Sequence, residues 1–454
     1  MKKIFSPAIL IISSILIIYT YYKSQIVWDG KKNDYYLIYY IISLTLLFFS
    51  IITFFLKQKL KEYFIISSIT TLISLYIFEV YLEIKKNNYL ITGLTLKEQT
   101  IKEKLYEKNT GKKYDNRNIE EVYADIKKTN EDIKIMLNPS FHINKKNEIY
   151  PLSNISNSKT IFCNELGYFA IYNSDRYGFN NPDEEWDQKE IEFLLIGDSL
   201  VHGSCVNRPN DIGSVLRNLS KKSVLNLGQS GTGPLIQYAI LREYLNPNVK
   251  KILWFYFERN DLRNLANELH NEVLIKYYND LSFTQDLKRN QKEIDRIVIK
   301  SIDELFEKKR NIKTNKGSFL GLNLKEVIKL SNIRFSLYRY LPSKYRPQFL
   351  PLINLEKILF SAKELATNNN SEIYFIYLPQ YERYKYNIEK RLQENYLSVK
   401  KIVEDLNIPF INIHTELFKK TEKPLSFFPF ELHGHYNIKG YRKISEIVYE
   451  SSKD

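Results

Sequence analysis

Uncharged apolar residues crowd the front of the chain. Ile4–Tyr22 and Tyr35–Leu56 contain no charged residue, and each is long enough to cross a hydrocarbon core of roughly 30 Å as a helix rising 1.5 Å per residue. A third run, Tyr63–Phe78, is shorter and is followed by Glu79 and Glu83. It reads as a third span, with a core or interfacial helix as the alternative. Tyr19, Tyr21, Tyr22, Trp28, Tyr35 and Tyr36 flank the runs, as expected of amphipathic rings at headgroup level. No small-residue cleavage site precedes Tyr21, Tyr22 and Lys23, so a retained anchor is expected rather than a removed signal peptide. Lys2 and Lys3, with Lys57, Lys59 and Lys61, place the amino terminus and the second turn in the cytoplasm. With three spans everything after about Ile84 is then extracytoplasmic; with two it faces the cytoplasm. Lys23, Lys31, Lys32, Lys85 and Lys86 weaken the bias.

Residues 85–190 begin charged and helix-friendly and read as a connecting segment that packs on a main domain. From residue 191 the pattern changes. Short apolar runs at Ile191–Ile196, Ser223–Leu227, Lys251–Phe257, Glu372–Leu378 and, more weakly, Pro409–Ile413 predict strands. Helical spacing lies between them at Asp211–Leu219, Leu235–Leu245, Leu262–Tyr278, Leu355–Ala366 and Tyr384–Leu406. Continuous apolar strands separated by amphipathic helices predict an α/β domain over 191–454, with a parallel sheet covered on both faces. Asp280–Arg346 interrupts the alternation and predicts a helical insertion at about 280–346. It reads as a solvated face, or else as a lid or membrane-facing surface for a lipid-linked or polymeric substrate.

Composition narrows the function classes. The 454 residues carry 66 Lys+Arg against 52 Asp+Glu, a net charge of +14. The Lys residues are scattered and matched by nearby Glu, which reads as a solvated surface and not as a nucleic-acid footprint. A hydrophobic fraction of 44% excludes a disordered chain, and a mean hydropathy of −0.34 excludes a mostly embedded one. Two cysteines, Cys163 and Cys205, exclude a disulfide scaffold and a Cys₄ metal site. Their pairing is expected only outside the cytoplasm.

Polar residues gather at the ends of the predicted strands, where ligands bind in parallel sheets. Four blocks stand out: Gly197-Asp198-Ser199-Leu200, Asn226-Leu227-Gly228-Gln229-Ser230-Gly231, Glu258-Arg259-Asn260-Asp261 and His435-Tyr436-Asn437-Ile438-Lys439-Gly440. Together, over roughly Glu192 to Tyr449, they resemble the blocks of the SGNH (GDSL-type) hydrolase superfamily. The resemblance implies a flavodoxin-like three-layer α/β/α domain. It also implies a nucleophile at Ser199, a base at His435, and an oxyanion hole from Ser199, Gly231 and Asn260. A serine hydroxyl needs such a base to attack at neutral pH, and the oxyanion needs fixed donors.

The sequence departs from the family at the acid. The positions two and three residues before the histidine hold His433 and Leu432. Glu431, the nearest carboxylate, is the candidate partner of His435, with Asp198 and Asp261 beside other blocks and a dyad supported by a backbone carbonyl as the alternative. Arg259, Asp198 and Asn437 are candidate substrate-binding residues; Arg259 can instead simply pair with Glu258. Competing readings are Ser199 as a helix cap, Ser230 as a rival nucleophile, and His433 and His435 as surface histidines. The glycines near 228–233 fit no phosphate loop. His202, His270 and His414 lack metal-ligand spacing, so neither cofactor nor metal is expected. The whole predicts a membrane-anchored serine esterase or O-acyltransferase. Its expected partners are the lipid bilayer and an ester-bearing cell-envelope glycan or lipid, and no nucleic acid. The alternative is a catalytically weak or inactive module binding acylated glycans or partner proteins.

Overall fold

The computed structural model describes residues 2–30, 32–87, 96–145, 148–314, 324–338, 351–386 and 388–453. The chain forms two compact units, Met1–Tyr89 with Asn315–Phe349, and Leu90–Thr314 with Leu350–Asp454. The insertion expected at 280–346 is therefore divided between them, and part of it lies outside the described residues.

The smaller unit opens with α1 (Lys2–Tyr21), extended by a wider turn over Tyr22–Val27, then α2 (Asn33–Phe55) and α3 (Gln58–Asn87). By length and composition all three can cross a membrane. Their aliphatic and aromatic side chains point outward, with Phe48 68% and Ile66 59% exposed, whereas Ser43, Ser50 and Thr53 are buried. The Ser43 and Thr53 hydroxyls donate to the Tyr39 and Ser50 carbonyls of their own helix, at 2.8 and 2.6 Å. Small residues facing inward with their hydroxyls satisfied let helices approach where no hydrophobic effect drives them together.

In the larger unit α4 (Leu96–Thr110) and α5 (Ile119–Lys127) lead into a small sheet of β1 (Lys134–Ile135), β2 (Lys159–Ile161) and β3 (Ile171–Asn173). The main alternation follows: β4 (Ile191–Ile196), α6 (Ser199–His202), α7 (Ile212–Ser220), β5 (Val224–Asn226), α8 (Pro234–Tyr244) and β6 (Val249–Phe257). Next come α9 (Asp261–Glu268), α10 (Leu274–Asn279) and α11 (Gln291–Thr314). The helices α12 (Leu324–Ile328) and α13 (Ser331–Tyr338) belong to the smaller unit. The larger unit resumes with α14 (Leu352–Asn368), β7 (Glu372–Leu378), α15 (Tyr381–Lys385), α16 (Glu389–Asp405), β8 (Phe410–Asn412) and α17 (Ile438–Ser452).

The five main strands are all parallel, in the order β5-β4-β6-β7-β8. Alternate residues serve opposite faces. Leu194, Ile196, Trp254 and Phe375 join the core under α8, α14 and α16. Phe193, Leu195, Phe255 and Ile376 join the core under α7 and α17. Three layers result, as the unbroken apolar runs require. Ile135, Leu152 and Phe179 enter the first of these cores, so the segment before residue 191 is an integral part of the domain. The expected helix Leu262–Tyr278 breaks in two because Asn271 Oδ1 accepts from the amides of Val273 and Leu274, both at 3.0 Å, an Asx turn that competes with helix continuation. Tyr384–Leu406 likewise divides into the end of α15 and α16.

Chain order reverses across β4, with β5 on one side and β6 on the other, so the loops after these strands flank the crevice at the carboxyl edge. Glu268, fully buried, ties two of the loops together. Its carboxylate accepts from the Gly233, Leu235 and Ile236 amides at 2.5, 3.0 and 3.3 Å, capping α8 from the end of α9. Burial pushes that carboxyl up to about 7 against these bonds. Glu268→Ala leaves three buried amides unpaired and is expected to cost about 2–4 kcal/mol, read as a lower urea midpoint by tryptophan fluorescence of the solubilised chain.

Candidate active site

Ser199 follows the turn Gly197-Asp198 after β4 and opens the short α6. Asp198 caps the short α6, its Oδ1 accepting from the Leu200 amide at 3.0 Å. His435 precedes α17, and its Nε2 lies 3.0 Å from Ser199 Oγ. The hydroxyl and the imidazole, 236 residues apart in sequence, thus share a hydrogen bond. His435 keeps 30% side-chain exposure, enough for a substrate to reach the pair.

The carboxylate behind His435 is Glu165, not Glu431. Glu165 Oε1 lies 2.9 Å from His435 Nδ1, and Oε2 accepts from the His435 backbone amide at 2.6 Å. Glu431 falls in a turn where it and Phe430 take left-handed φ values of 58° and 54°. That geometry leaves Glu431 exposed, and its carbonyl, not its carboxylate, accepts from Tyr381 Oη at 3.3 Å. Gly434 permits the close approach of Glu165: a Cβ there would stand 2.7 Å from Oε2.

Burial pushes the Glu165 carboxyl up, but the His435 charge, its two hydrogen bonds and buried Lys102 on α4 outweigh it and hold the group at about 2. Burial pushes His435 down, and Glu165 and then Asp198 outweigh it, so the imidazole lies above its ordinary value while Arg259 opposes the rise. A drop from 4.5 to about 2 corresponds to roughly 3 kcal/mol of stability. Because the folded value is depressed, that stability is present above pH 4.5 and lost as pH falls through about 2. With Glu165 accepting at Nδ1–H, the neutral tautomer presents a lone pair at Nε2 to the serine.

A disulfide joins Cys163 to Cys205, with Cα atoms 4.9 Å apart. It staples the loop carrying Glu165 to the loop after α6. Glu165, Cys205 and His435 place ligand-type atoms within 4.8 Å of one another, but the sulfur is spent in the disulfide and Nδ1 on the carboxylate, so the trio lacks the donors of a metal site.

Loops from the second and third blocks meet the first. Gln229 donates its backbone amide to the Gly197 carbonyl at 3.1 Å. Gly231 has φ +74°, a left-handed value, and a Cβ there would press on Asn138 Nδ2 and Ser140 Oγ at 3.0 Å. Asn260 Nδ2 donates to Asp198 Oδ2 at 3.3 Å, which leaves its second proton for another acceptor. Among the described residues no protein group accepts from the Ser199 or Gly231 amide.

Two expected substrate contacts are structural instead. Asp198 is 1% exposed; its carboxylate lies beneath the site, bonded to Ser199 Oγ at 3.3 Å as well as to Leu200 and Asn260. Asn437 caps α17, its Oδ1 accepting from Gly440 and its Nδ2 donating to the Ser426 and Phe428 carbonyls, each at 2.9 Å. Arg259 pairs with Glu382 at 3.4 Å, not with Glu258, and remains 40% exposed. Glu258 is taken by buried Arg383. His433 Nε2 also faces Glu382, at 3.2 Å, and is not a second base at Ser199. Ser230 is buried and shares no hydrogen bond with an imidazole among the described residues. Asp261 is fully buried and accepts from the Phe257 amide at 3.1 Å.

No family model and no curated protein matches the sequence. Among solved structures, a protein of Desulfitobacterium hafniense described as a lipolytic protein of the G-D-S-L family aligns over 58% of this chain and 99% of that chain, at 13% identity and a TM-score of 0.31. A likeness of that size carries no argument about the site, whose chemistry is read from its own atoms.

Glu165→Gln removes the charge that raises His435 and is expected to lower the imidazole pKa, seen by titration of ¹⁵N-histidine NMR signals, and to cost about 3 kcal/mol at neutral pH. Reduction of Cys163–Cys205 frees the Glu165 loop. It is expected to shift the same signal in the same direction, by less, while the Cys163→Ala/Cys205→Ala variant no longer responds to reductant.

Proposed function

We propose that the protein is a membrane-anchored serine acyl hydrolase or acyltransferase of the SGNH type, acting on ester-linked acyl groups. The observation that carries the reading is the continuous hydrogen-bonded line from Glu165 through His435 to Ser199 Oγ. The four sequence blocks support it independently.

In the proposed reaction His435 Nε2 takes the Ser199 proton as Oγ bonds to the acyl carbon. The carbonyl oxygen becomes an oxyanion facing the Ser199 and Gly231 amides and Asn260 Nδ2. Collapse breaks the ester bond, and His435 returns the proton to the departing alcohol. Water or an acceptor hydroxyl then attacks the acyl-serine, giving its proton to His435 and restoring Ser199. Water makes the enzyme an esterase, whereas a sugar hydroxyl makes it an O-acyltransferase. Glu165 stabilises the imidazolium that forms at each step.

Anchoring favours cell-envelope glycans or lipids as substrates, and the Cys163–Cys205 disulfide favours an extracytoplasmic domain, because thiols stay reduced in the cytosol. Exposed Arg259 sits beside the imidazole it acts on and is suited to an anionic group on the substrate. The competing expectation of an inactive binding module drew on the missing acid and on Arg259; the carboxylate of Glu165 behind His435 supports the enzymatic reading.

Hydrolysis of p-nitrophenyl acetate by the solubilised chain tests the reading. Ser199→Ala and His435→Ala are expected to abolish turnover, and Asn260→Gly to lower kcat about 10²–10³-fold. The rate should rise with pH along a limb set above the ordinary histidine value, since only neutral His435 accepts the proton. Wild-type turnover unchanged in Ser199→Ala contradicts the proposal.

A further inference from the structure

The apolar stretch of α3 ends in two carboxylates, and both are buried. Glu79 is 0% and Glu83 3% exposed, although the adjacent Ile77 and Phe78 are 66% and 51% exposed. A carboxylate on an apolar helix is costly unless its lone pairs are met. The partners come from far along the chain. Glu79 Oε1 accepts from the Asn332 backbone amide at 2.8 Å and from its Nδ2 at 2.9 Å. Glu79 Oε2 accepts from the Ile333 amide at 2.9 Å. Glu83 Oε2 accepts from Asn332 Nδ2 at 2.7 Å. Those amides belong to the first turn of α13, where no helical carbonyl is available to them. Glu79 therefore caps α13 from within a candidate span.

The docking is deep. Tyr76 Oη donates to the Ile328 carbonyl at 3.2 Å. Ile84 closes the candidate span, and at 1.5 Å per residue it lies about 12 Å along the axis from Tyr76. Helical side chains lean toward the amino terminus, so the Ile328 carbonyl is at or below the level of Tyr76. Arg334 runs back toward the rim: its guanidinium is 3.4 Å from Tyr35 Oη, near the start of α2, and 5.9 Å from the Tyr39 ring. In this short segment Val327 turns inward at 8% exposure, while Leu324 and Ile328 at 67% and Phe335 and Leu337 at 59% point away from the helices beneath them. Ile328, whose carbonyl meets Tyr76, lies level with the exposed aliphatic surface of α3.

We propose that residues 324–338 form a re-entrant helical hairpin embedded in the leaflet at the Tyr35 end of the spans. Leu324, Ile328, Phe335 and Leu337 lie against lipid acyl chains, and Arg334 reaches headgroup level in the manner of a snorkelling side chain. Glu79 and Glu83 are then the anchors of this hairpin and need no ion or proton pathway to account for them. Residues 324–338 become a second membrane attachment for the chain, independent of the serine chemistry.

The full chain in phosphatidylcholine vesicles, carrying Leu337→Cys or Ile328→Cys labelled with an NBD maleimide, tests this. Blue-shifted emission is expected, quenched by doxyl-labelled acyl chains as strongly as a label at Ile66→Cys and little by iodide. Adding Glu79→Ala is expected to raise iodide quenching several-fold, with Glu79→Gln between the two. Iodide access equal to that of a label at Leu281→Cys, on a residue 73% exposed in the larger unit, overturns the proposal.

Discussion

One carboxylate makes two bonds to one residue. Glu165 holds the backbone amide of His435 with one oxygen and its ring with the other, so the position of the main chain and the tilt of the imidazole are set together. A carboxylate tied only to the ring would let the loop before α17 slide; one tied only to the amide would let the ring rotate. Because the Glu165 side chain is only 14% exposed, its charge is weakly screened and its geometry has little room to relax into water. The disulfide, the cap at Asn437 and the close approach at Gly434 all act on the two loops this carboxylate joins.

Ser199 is held from the opposite side by the sheet. Both faces of β4 are buried, so the turn after it has little freedom, and Asp198 caps α6 by accepting from the Leu200 amide. Asp198 also accepts from Ser199 Oγ. The hydroxyl has one proton and two acceptors within reach, and the protonation of His435 decides between them. When the imidazole is charged, Nε2–H donates to Oγ and the serine proton turns to Asp198. When it is neutral, the proton turns to Nε2.

Local features were legible in the sequence. Strands β4 and β7 begin and end at the residues their apolar runs mark, since strands buried on both faces leave no ambiguity of period. Ser199, Gly231 and Asn260 stand in short blocks after strand ends and His435 in one just before the last helix, and these blocks are recognisable without coordinates. Glu165 was not legible. It lies 270 residues from its partner, in an irregular loop with no periodicity, and its only nearby signal is Cys163 two positions earlier. The expected Glu431 was chosen by proximity along the chain, which the left-handed turn at Phe430 and Glu431 defeats. Asn437 and Asp198 were readable as helix caps, each a short polar side chain just before a helix, yet their nearness to the motifs suggested contact with substrate. Charge composition leaves the insertion open between a solvated and a membrane-facing surface, and its ties to α3 are not legible because Asn332 and Ile333, the partners of Glu79 and Glu83, lie about 250 residues downstream.

The central claim is that Ser199 is the nucleophile activated by His435. Tandem mass spectrometry of the full chain after reaction with a fluorophosphonate tests it most directly. The account predicts a single adduct, on the peptide containing Ser199, whose formation stops in His435→Ala. An adduct on Ser230, or labelling of Ser199 unchanged in His435→Ala, would contradict it.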